Sequence, residues 1–292
     1  MIKTKFVTAI YSNLNGTEYG GRPSRKEHYR YSLLSLLRMT NADLVCYTST
    51  QELNELEYFF YTQNGISKDK LKLIPFELNQ SKYKEVYSKY KDIDSIKQGD
   101  RCFEIQYNKF FWTLDECSAY DYIYWIDAGL CHCGIIPDKY LINNNTYQRY
   151  FNSNYFDNFF LENLTTKSEN KILVIGKSNV GSNYWSGTIP EKYYKTYDNT
   201  NHIIGGIFGG KKESMLNFIK LFENIFLSVI PTEMKIYSEE QIMSLIYADN
   251  KELFKPFHFD VWWHEDNLTK DCPPNYLTIN KSFYKVLEEI KE

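Results

Sequence analysis

The sequence predicts an α/β fold with a mixed, mostly parallel central sheet that helices flank. The first observation is an unbroken apolar and aromatic run, Tyr122 to Ile126, which is short and typical of a strand buried on both faces. The second is the alternation of such runs with helical patterns over residues 6–76. The third is a strand, a glycine-bearing loop and a helix near the amino terminus, an arrangement that nucleotide-binding folds use.

Composition and charge exclude several classes of protein. The chain has 292 residues, enough for one large domain, and its net charge of −3 gives no general attraction to nucleic acid or acidic membranes. The six cysteines form no CxxC pair and the chain shows no signal peptide, so we expect reduced thiols in a cytoplasmic protein. No apolar run reaches the length needed to cross a bilayer.

The amino-terminal unit predicts a phosphate site. Phe6 to Tyr11 should form the first strand, and a capping box at Ser24–Glu27 should begin a helix that extends to about Arg38. Arg22, Arg25 and Lys26 would stand at the positive end of this helix, where phosphate binds well, although a solvated helix start explains them equally. The glycine spacing is neither GxGxxG nor a P-loop, which disfavours a dinucleotide or NTPase site.

The next elements complete the first part of the sheet. Asp43 to Thr48 and Leu71 to Phe76 read as strands with a helix between them, and residues 79–100 read as a solvated helix or loop. A helix from Phe103 to Cys117 should lead into the Tyr122 strand. Its predicted buried stripe consists of Phe103, Tyr107, Phe110, Phe111 and Leu114. Asn108 and Lys109 fall off this stripe, so Lys109 either neutralises a phosphate or is a solvent-exposed lysine.

The second half of the chain is less regular. Residues 138–200 read as a long connection with a strand at Lys171–Ile175. His202 to Gly210 reads as a strand whose paired glycines indicate a close backbone approach or a bulge. An amphipathic helix follows over residues 215–229. Ser238 should cap another helix, and its first-turn acids Glu239 and Glu240 either complement the helix dipole or face a cleft as base or substrate ligand.

Asp127 is the most informative carboxylate of the chain. It ends the Tyr122 strand, at the edge where open α/β sheets bind ligands, and could hold a divalent cation that binds a diphosphate; a turn cap is the alternative. His258 or His264, in an aromatic segment with Trp262 that would suit a site wall, could complete such a metal site. The Cys131-His132-Cys133 run does not predict zinc, because no partner pair has the required spacing.

Taken together, these pieces resemble a GT-A-type glycosyltransferase, and more narrowly the bacterial HtrL/YibB family of glycosyltransferases. Four segments carry the resemblance. They are the opening strand Phe6–Ala9 with its loop and helix, Tyr107-Asn108-Lys109 ahead of Tyr124–Gly129, the strand Ile204–Gly210, and Glu239-Glu240-Gln241. The resemblance implies a GT-A-like, Rossmann-like sheet in a single domain over residues 1–292. Residues 1–137 would bind the nucleotide-sugar, and 138–292 would form the acceptor side, with an irregular insertion at about 138–200.

The resemblance also implies site residues. Donor binding falls to Thr8, Ala9, Arg22, Asn108, Lys109, Asp127 and Gly129; acceptor binding to Gly205, Gly206 and Trp262; base catalysis to Glu240 or Glu239. The implied cofactor is Mn²⁺ or Mg²⁺, with Asp127, His258 and His264 as its candidate ligands. Gly129 stands where such enzymes carry the second acid of a DxD motif, so either a histidine or nearby acid completes the metal site, or Lys109 and Arg22 neutralise the diphosphate instead.

The function that the resemblance implies is transfer of a hexose, from a nucleotide-sugar such as a UDP-sugar, to a surface glycan or lipid-linked saccharide. The protein would be cytoplasmic, with peripheral contact at the inner face of the membrane as an open alternative. Two other classes stay open: a nucleotidyltransferase acting on sugar phosphates, and a non-catalytic carbohydrate-binding protein that uses the tyrosines and tryptophans. An NAD-dependent enzyme is disfavoured by the missing fingerprint. Inversion and retention of configuration both stay open.

Overall fold

Short apolar runs assemble into one sheet of seven strands. The computed structural model describes residues 3–11, 29–37 apart from 31 and 35, 43–86, 103–128, 164–178, 202–229 and 239–260. The strands are β1 (Thr4–Ile10), β2 (Asp43–Thr48), β3 (Leu71–Pro75), β4 (Tyr122–Ile126), β5 (Ile172–Ser178), β6 (His202–Lys211) and β7 (Phe254–Asp260). Their order in the sheet is β3-β2-β1-β4-β6-β5-β7.

The sheet is mixed and mostly parallel. β6 runs antiparallel to β4 and β5, and the other four pairings are parallel. The chain moves from β1 through β2 to β3 and then returns to β4 on the other side of β1. This reversal places a topological switch point between the carboxyl ends of β1 and β4, where open α/β sheets form a ligand crevice. The predicted α/β class is confirmed.

Helices cover both faces of the sheet. They are α1 (Thr50–Glu57), α2 (Phe103–Glu116), α3 (Lys212–Asn224) and α4 (Glu239–Asp249). π-helical turns continue α1 over Tyr58–Gln63 and α3 over Ile225–Val229, 3-10 turns lie at Leu78–Gln80 and Lys251–Leu253, and residues within 29–37 and 164–168 are also helical. Apolar side chains of 29–37 and α1 pack on one face, and those of α2, α3 and α4 on the other.

The second face is built largely from aromatic rings. Phe110 of α2 stacks on Phe222 of α3 with ring centroids 3.6 Å apart, and Trp112 stacks between Tyr47 of β2 and Trp125 of β4. Offset ring stacking adds to the free energy of apolar burial. This packing fixes α2 across the sheet, so that the middle of α2, at Lys109, lies beside the end of β4.

A bulge in β6 shapes the edge beside β4. Val174 of β5 pairs with Phe208, but the next residue, Ile175, pairs with Ile204, so residues 205–207 have no partners in β5. Farther along β6, a side chain at Gly209 would collide with the backbone of β4, and one at Gly210 with the backbone of Lys171. The predicted close backbone approach at the paired glycines is confirmed.

Two expectations are wrong within the described residues, and one strand was not predicted. Lys109 is buried, not exposed, because the helix packs with more of its circumference than the apolar stripe predicted; Asn108, Trp112 and Thr113 are buried with it. Residues 79–86 are not uniformly solvated, because Ser81 and Tyr83 are buried and the Tyr83 ring packs on Phe226. The segment around His258 also contributes an edge strand, β7, which the mixed aromatic and charged pattern did not indicate. Residues 87–100 lie outside the described part of the chain.

Candidate active site

A buried lysine links three elements at the end of β4. Lys109 Nζ, on α2, lies 3.0 Å from Oδ1 of Asp127, 2.9 Å from Oε1 of Glu239 and 3.1 Å from the carbonyl oxygen of Gly205. The side chain of Lys109 is 7% exposed, that of Glu239 5% and that of Asp127 32%. The folded chain thus brings together two predicted donor-binding residues, Lys109 and Asp127, and the candidate base Glu239. Asp127 is the most exposed of the three.

The aromatic strand-end residue Trp125 holds Asp127 from the other side. Its Nε1 donates a hydrogen bond of 2.7 Å to Oδ1 of Asp127, and its ring centroid lies 5.4 Å from Lys109 Nζ. Residues two apart on a strand project to the same face, which explains the contact. Sequence reasoning missed Trp125 as a site residue, although a tryptophan two positions before a strand-end acid was the available signal.

Backbone groups of the β6 bulge form hydrogen bonds with α4 and with the residue after β4. The Gly205 amide donates a 3.0 Å hydrogen bond to Oε1 of Glu240, and the Gly206 carbonyl accepts one of 2.8 Å from the Asp127 amide. A Cβ atom at Gly205 would stand 2.7 Å from Oε1 of Glu239, so the first-turn acids of α4 can approach this closely only beside a glycine. Glu240 is half-buried, whereas Glu239 is buried.

The electrostatics of the cluster follow from one ammonium group shared among carboxylates. Burial by itself would lower the pKa of Lys109, but the charges of Asp127 and Glu239 more than reverse this, so its pKa lies above the ordinary value. Burial raises the pKa of Glu239 above its usual range against the opposing charge of Lys109, and the neighbouring charges of Glu240 and Asp127 raise it further. Oε2 of Glu239 is buried and has no hydrogen-bond partner within the described residues.

The predicted donor-binding residues of β1 lie beside this cluster. Val7 pairs with Trp125, and Ala9 and Asp127 each lie two residues beyond that pair, on the two sides of the switch point. Ala9 is half-buried, and the hydroxyl of Thr8 is buried without a hydrogen-bond partner in the described part of the structure. Donor binding by Thr8 and Ala9 remains a prediction. Their position at the carboxyl end of β1, beside the switch point, suits it.

Asn108 lies in a different environment from its neighbour Lys109. Its Oδ1 accepts a 2.6 Å hydrogen bond from Ser81 Oγ, and its Nδ2 donates one of 2.7 Å to the Glu104 carbonyl. Both ends of the buried amide therefore contact protein groups. Because the oxygen and the nitrogen of this amide both have protein partners, its contacts do not support donor binding by Asn108, which stays a prediction.

The described residues do not fit a divalent cation at Asp127. Oδ1 of Asp127 already accepts from Lys109 and Trp125, and no group of three or more metal-binding side chains exists among the described residues. The backbone of His258 lies in β7, three strand positions from β4, which is roughly 14 Å at the usual strand spacing. His264, Gly129, Arg22 and Trp262 lie outside the described residues. The metal expected from the resemblance remains a prediction.

Comparisons with known proteins assign no family. No protein-family model matches the sequence, and no curated protein matches it. The solved structures that are similar to it include the following two. The chain covers 96% of 4-diphosphocytidyl-2C-methyl-D-erythritol synthase from Anaerococcus prevotii DSM 20548 with all of its own length, at 11% identity and a TM-score of 0.38. It matches 85% of mouse xyloside xylosyltransferase 1, apo form, with 87% of its own length, at 9% identity and a TM-score of 0.45. Both TM-scores lie below 0.5, and the function must be argued from the site itself.

Within the described residues, no helix combines the length and the apolar character that a bilayer span requires.

Proposed function

We propose that the protein is a glycosyltransferase that moves a sugar, of the hexose type, from a nucleotide-sugar to a saccharide acceptor. The observation that carries the proposal is the cluster of Asp127, Glu239 and Glu240 around Lys109, next to the switch point between β1 and β4. A crevice at that position binds ligands in open α/β sheets, and a set of carboxylates beside it suits the chemistry of glycosyl transfer.

Asp127 is the proposed contact to the donor sugar. Cleavage of the bond between a sugar and a diphosphate develops positive charge at the anomeric carbon, and a partly exposed carboxylate at the end of β4 can stabilise it. The contacts from Lys109 and Trp125 hold one oxygen of this carboxylate in a fixed position. Arg22, which follows β1 in the sequence, stays the candidate for binding the leaving diphosphate.

Glu240 is the better candidate for the base of an inverting transfer. It is half-buried and accepts the Gly205 amide through one oxygen, whereas Glu239 is buried and paired with Lys109. A base must reach the hydroxyl group of the acceptor, which a partly exposed carboxylate can do more readily than a buried one. We assign Glu239 to holding the cluster together and Gly205 and Gly206 to the acceptor-side wall.

The experiment that tests this proposal is turnover of a donor panel. UDP-, GDP- and CMP-sugars are incubated with the wild type, Asp127→Asn, Glu240→Gln and the control Asp249→Asn, which changes an exposed carboxylate at the far end of α4. We expect one donor to be hydrolysed or transferred, with rates about 10²–10⁴-fold lower in the first two variants and unchanged in the control. Mass spectrometry of the nucleotide product identifies the donor.

Two outcomes would replace the proposal. Turnover of a nucleoside triphosphate with a sugar phosphate, releasing pyrophosphate, would establish the nucleotidyltransferase alternative. Binding of saccharides without turnover of any donor, unaffected in Asp127→Asn and Glu240→Gln, would establish a carbohydrate-binding protein. Circular dichroism of each variant must match the wild type for either conclusion.

A further inference from the structure

The ammonium group of Lys109 has all of its donors occupied by the protein. A lysine carries three N–H donors, and Nζ lies within hydrogen-bond distance of Asp127 Oδ1, Glu239 Oε1 and the Gly205 carbonyl oxygen. The Trp125 ring lies beside the same nitrogen. Lys109 is thus bound to the protein itself, with no N–H left for a phosphate.

The three oxygens that surround Lys109 come from three different elements. Asp127 follows β4, Glu239 begins α4 and Gly205 lies in the β6 bulge. Two carboxylate oxygens and a backbone carbonyl that converge on one point are the kind of oxygen ligands that Mg²⁺ and Ca²⁺ use. In this chain the point of convergence holds the lysine nitrogen.

We propose that Lys109 is the resident cation of this site, that it positions Asp127 and Glu239, and that the native protein binds no divalent cation at Asp127. An ion on Oδ1 of Asp127 would have to displace the ammonium group or stand beside its positive charge. The statement that Lys109 occupies this site does not depend on the proposed transferase function. Only its consequence for catalysis rests on that function. It predicts that a divalent cation, if donor turnover uses one, is not bound by Asp127.

The test measures Mn²⁺ binding directly. The electron paramagnetic resonance signal of free Mn²⁺ is titrated with the wild type, Asp127→Asn, Lys109→Met and Lys109→Met/Asp127→Asn, with and without UDP. Lys220→Met, which removes an exposed lysine of α3, is the control for a general change in charge. The uncharged methionine side chain is one heavy atom shorter than that of lysine, so it replaces the apolar part of Lys109 and leaves the position of Nζ vacant.

We expect the wild type and Asp127→Asn to give the same Mn²⁺ titration. Lys109→Met should gain a Mn²⁺ site that Lys220→Met lacks, and the added Asp127→Asn change should weaken that site by at least about 10-fold. A merely structural role for Lys109 would produce no such gain. The spectroscopic signal therefore separates positioning by charge from ordinary packing.

Two results would overturn the inference. Mn²⁺ binding by the wild type that Asp127→Asn abolishes would show that Asp127 is a metal ligand in the native protein. A folded Lys109→Met variant that gains no Mn²⁺ site would show that the lysine charge is not what excludes the ion. The first comparison does not require the Lys109→Met variant to fold. Neither depends on turnover, so failure of the transferase proposal is recognised separately in the donor panel.

Discussion

Gly205 shows how a single residue can decide the geometry of the site. Its amide binds Glu240, its carbonyl binds Lys109, and the space that a side chain would occupy is filled by Glu239. Any other residue would push Glu239 away from Lys109 or move the bulge. The glycine is therefore required by the approach of two acids to the backbone.

We predict that Gly205→Ala loses activity together with stability. The new methyl group would overpack the cluster at a cost of about 1–3 kcal/mol in the free energy of unfolding. Displacement of Glu239 should also disturb Lys109 and Asp127, and kcat for the donor found in the panel should fall. Urea unfolding and donor kinetics of the same preparation measure the two effects.

Gly65→Ala is the matched control for this prediction. Gly65 has φ +65° and open space around it, so alanine should cost about 1–2 kcal/mol through backbone strain. Gly65 follows the helical turn Tyr58–Gln63, and no residue of the cluster belongs to that segment. The kcat of this variant should therefore stay at the wild-type value. Equal losses of kcat in the two variants would show that the Gly205 effect is general destabilisation.

At the scale of elements, α2 carries two neighbouring polar residues with separate tasks. Successive residues of an α-helix project about 100° apart, so Asn108 and Lys109 reach different neighbours. Asn108 holds Ser81, next to the 3-10 turn Leu78–Gln80, and Lys109 holds the ends of β4 and α4. The helix connects the turn to the candidate active site.

We predict that Asn108→Ala and Ser81→Ala each destabilise the fold without changing the KM of the donor. Each substitution removes the buried hydrogen bond between these side chains, at a cost of about 1–3 kcal/mol because a polar group is left unsatisfied. Urea unfolding of the two single variants and the double variant gives the coupling free energy. A large rise in KM with Asn108→Ala but not with Ser81→Ala would instead support donor binding by Asn108.

At the scale of the whole molecule, the strand order determines where a donor can bind. The chain leaves β1 toward β3 and returns to β4, so the carboxyl ends of β1 and β4 lie side by side at the switch point, where open α/β sheets bind ligands. The carboxylate cluster lies on the β4 side of this switch point, and Thr8 and Ala9 lie on the β1 side.

We predict that Ala9→Leu obstructs donor binding. A larger side chain at the carboxyl end of β1 should enter the crevice and raise the Kd of the donor by at least about 10-fold, the equivalent of 1.4 kcal/mol. Thr4→Leu, at the amino end of the same strand, is the control and should leave the Kd unchanged. Isothermal titration calorimetry with the donor measures both, and equal Kd values would place the donor elsewhere.

The strands show how much of the fold could be predicted from sequence. The predicted bounds of β2 and β4 match the structure because each is a short apolar run that packs on both faces. β7 was missed because Phe254–Asp260 mixes aromatic and charged residues at the end of the sheet, where one-sided pairing leaves a weaker pattern. The pairing of β7 with β5 depends on residues about 80 positions apart.

The sequence by itself determined the α/β class, the acid at the end of β4, the glycines of β6 and the acids at the start of α4. These are local features, which strand and helix patterns, glycine pairs and capping signals reveal. Only the tertiary structure decided that Lys109 is buried between Asp127 and Glu239, and that Gly205 accepts its third hydrogen bond. The physical reason is that this lysine is stabilised by the charges of Asp127, after β4, and Glu239, in α4. These residues lie 18 and 130 positions away in the sequence and contact Lys109 only in the folded structure.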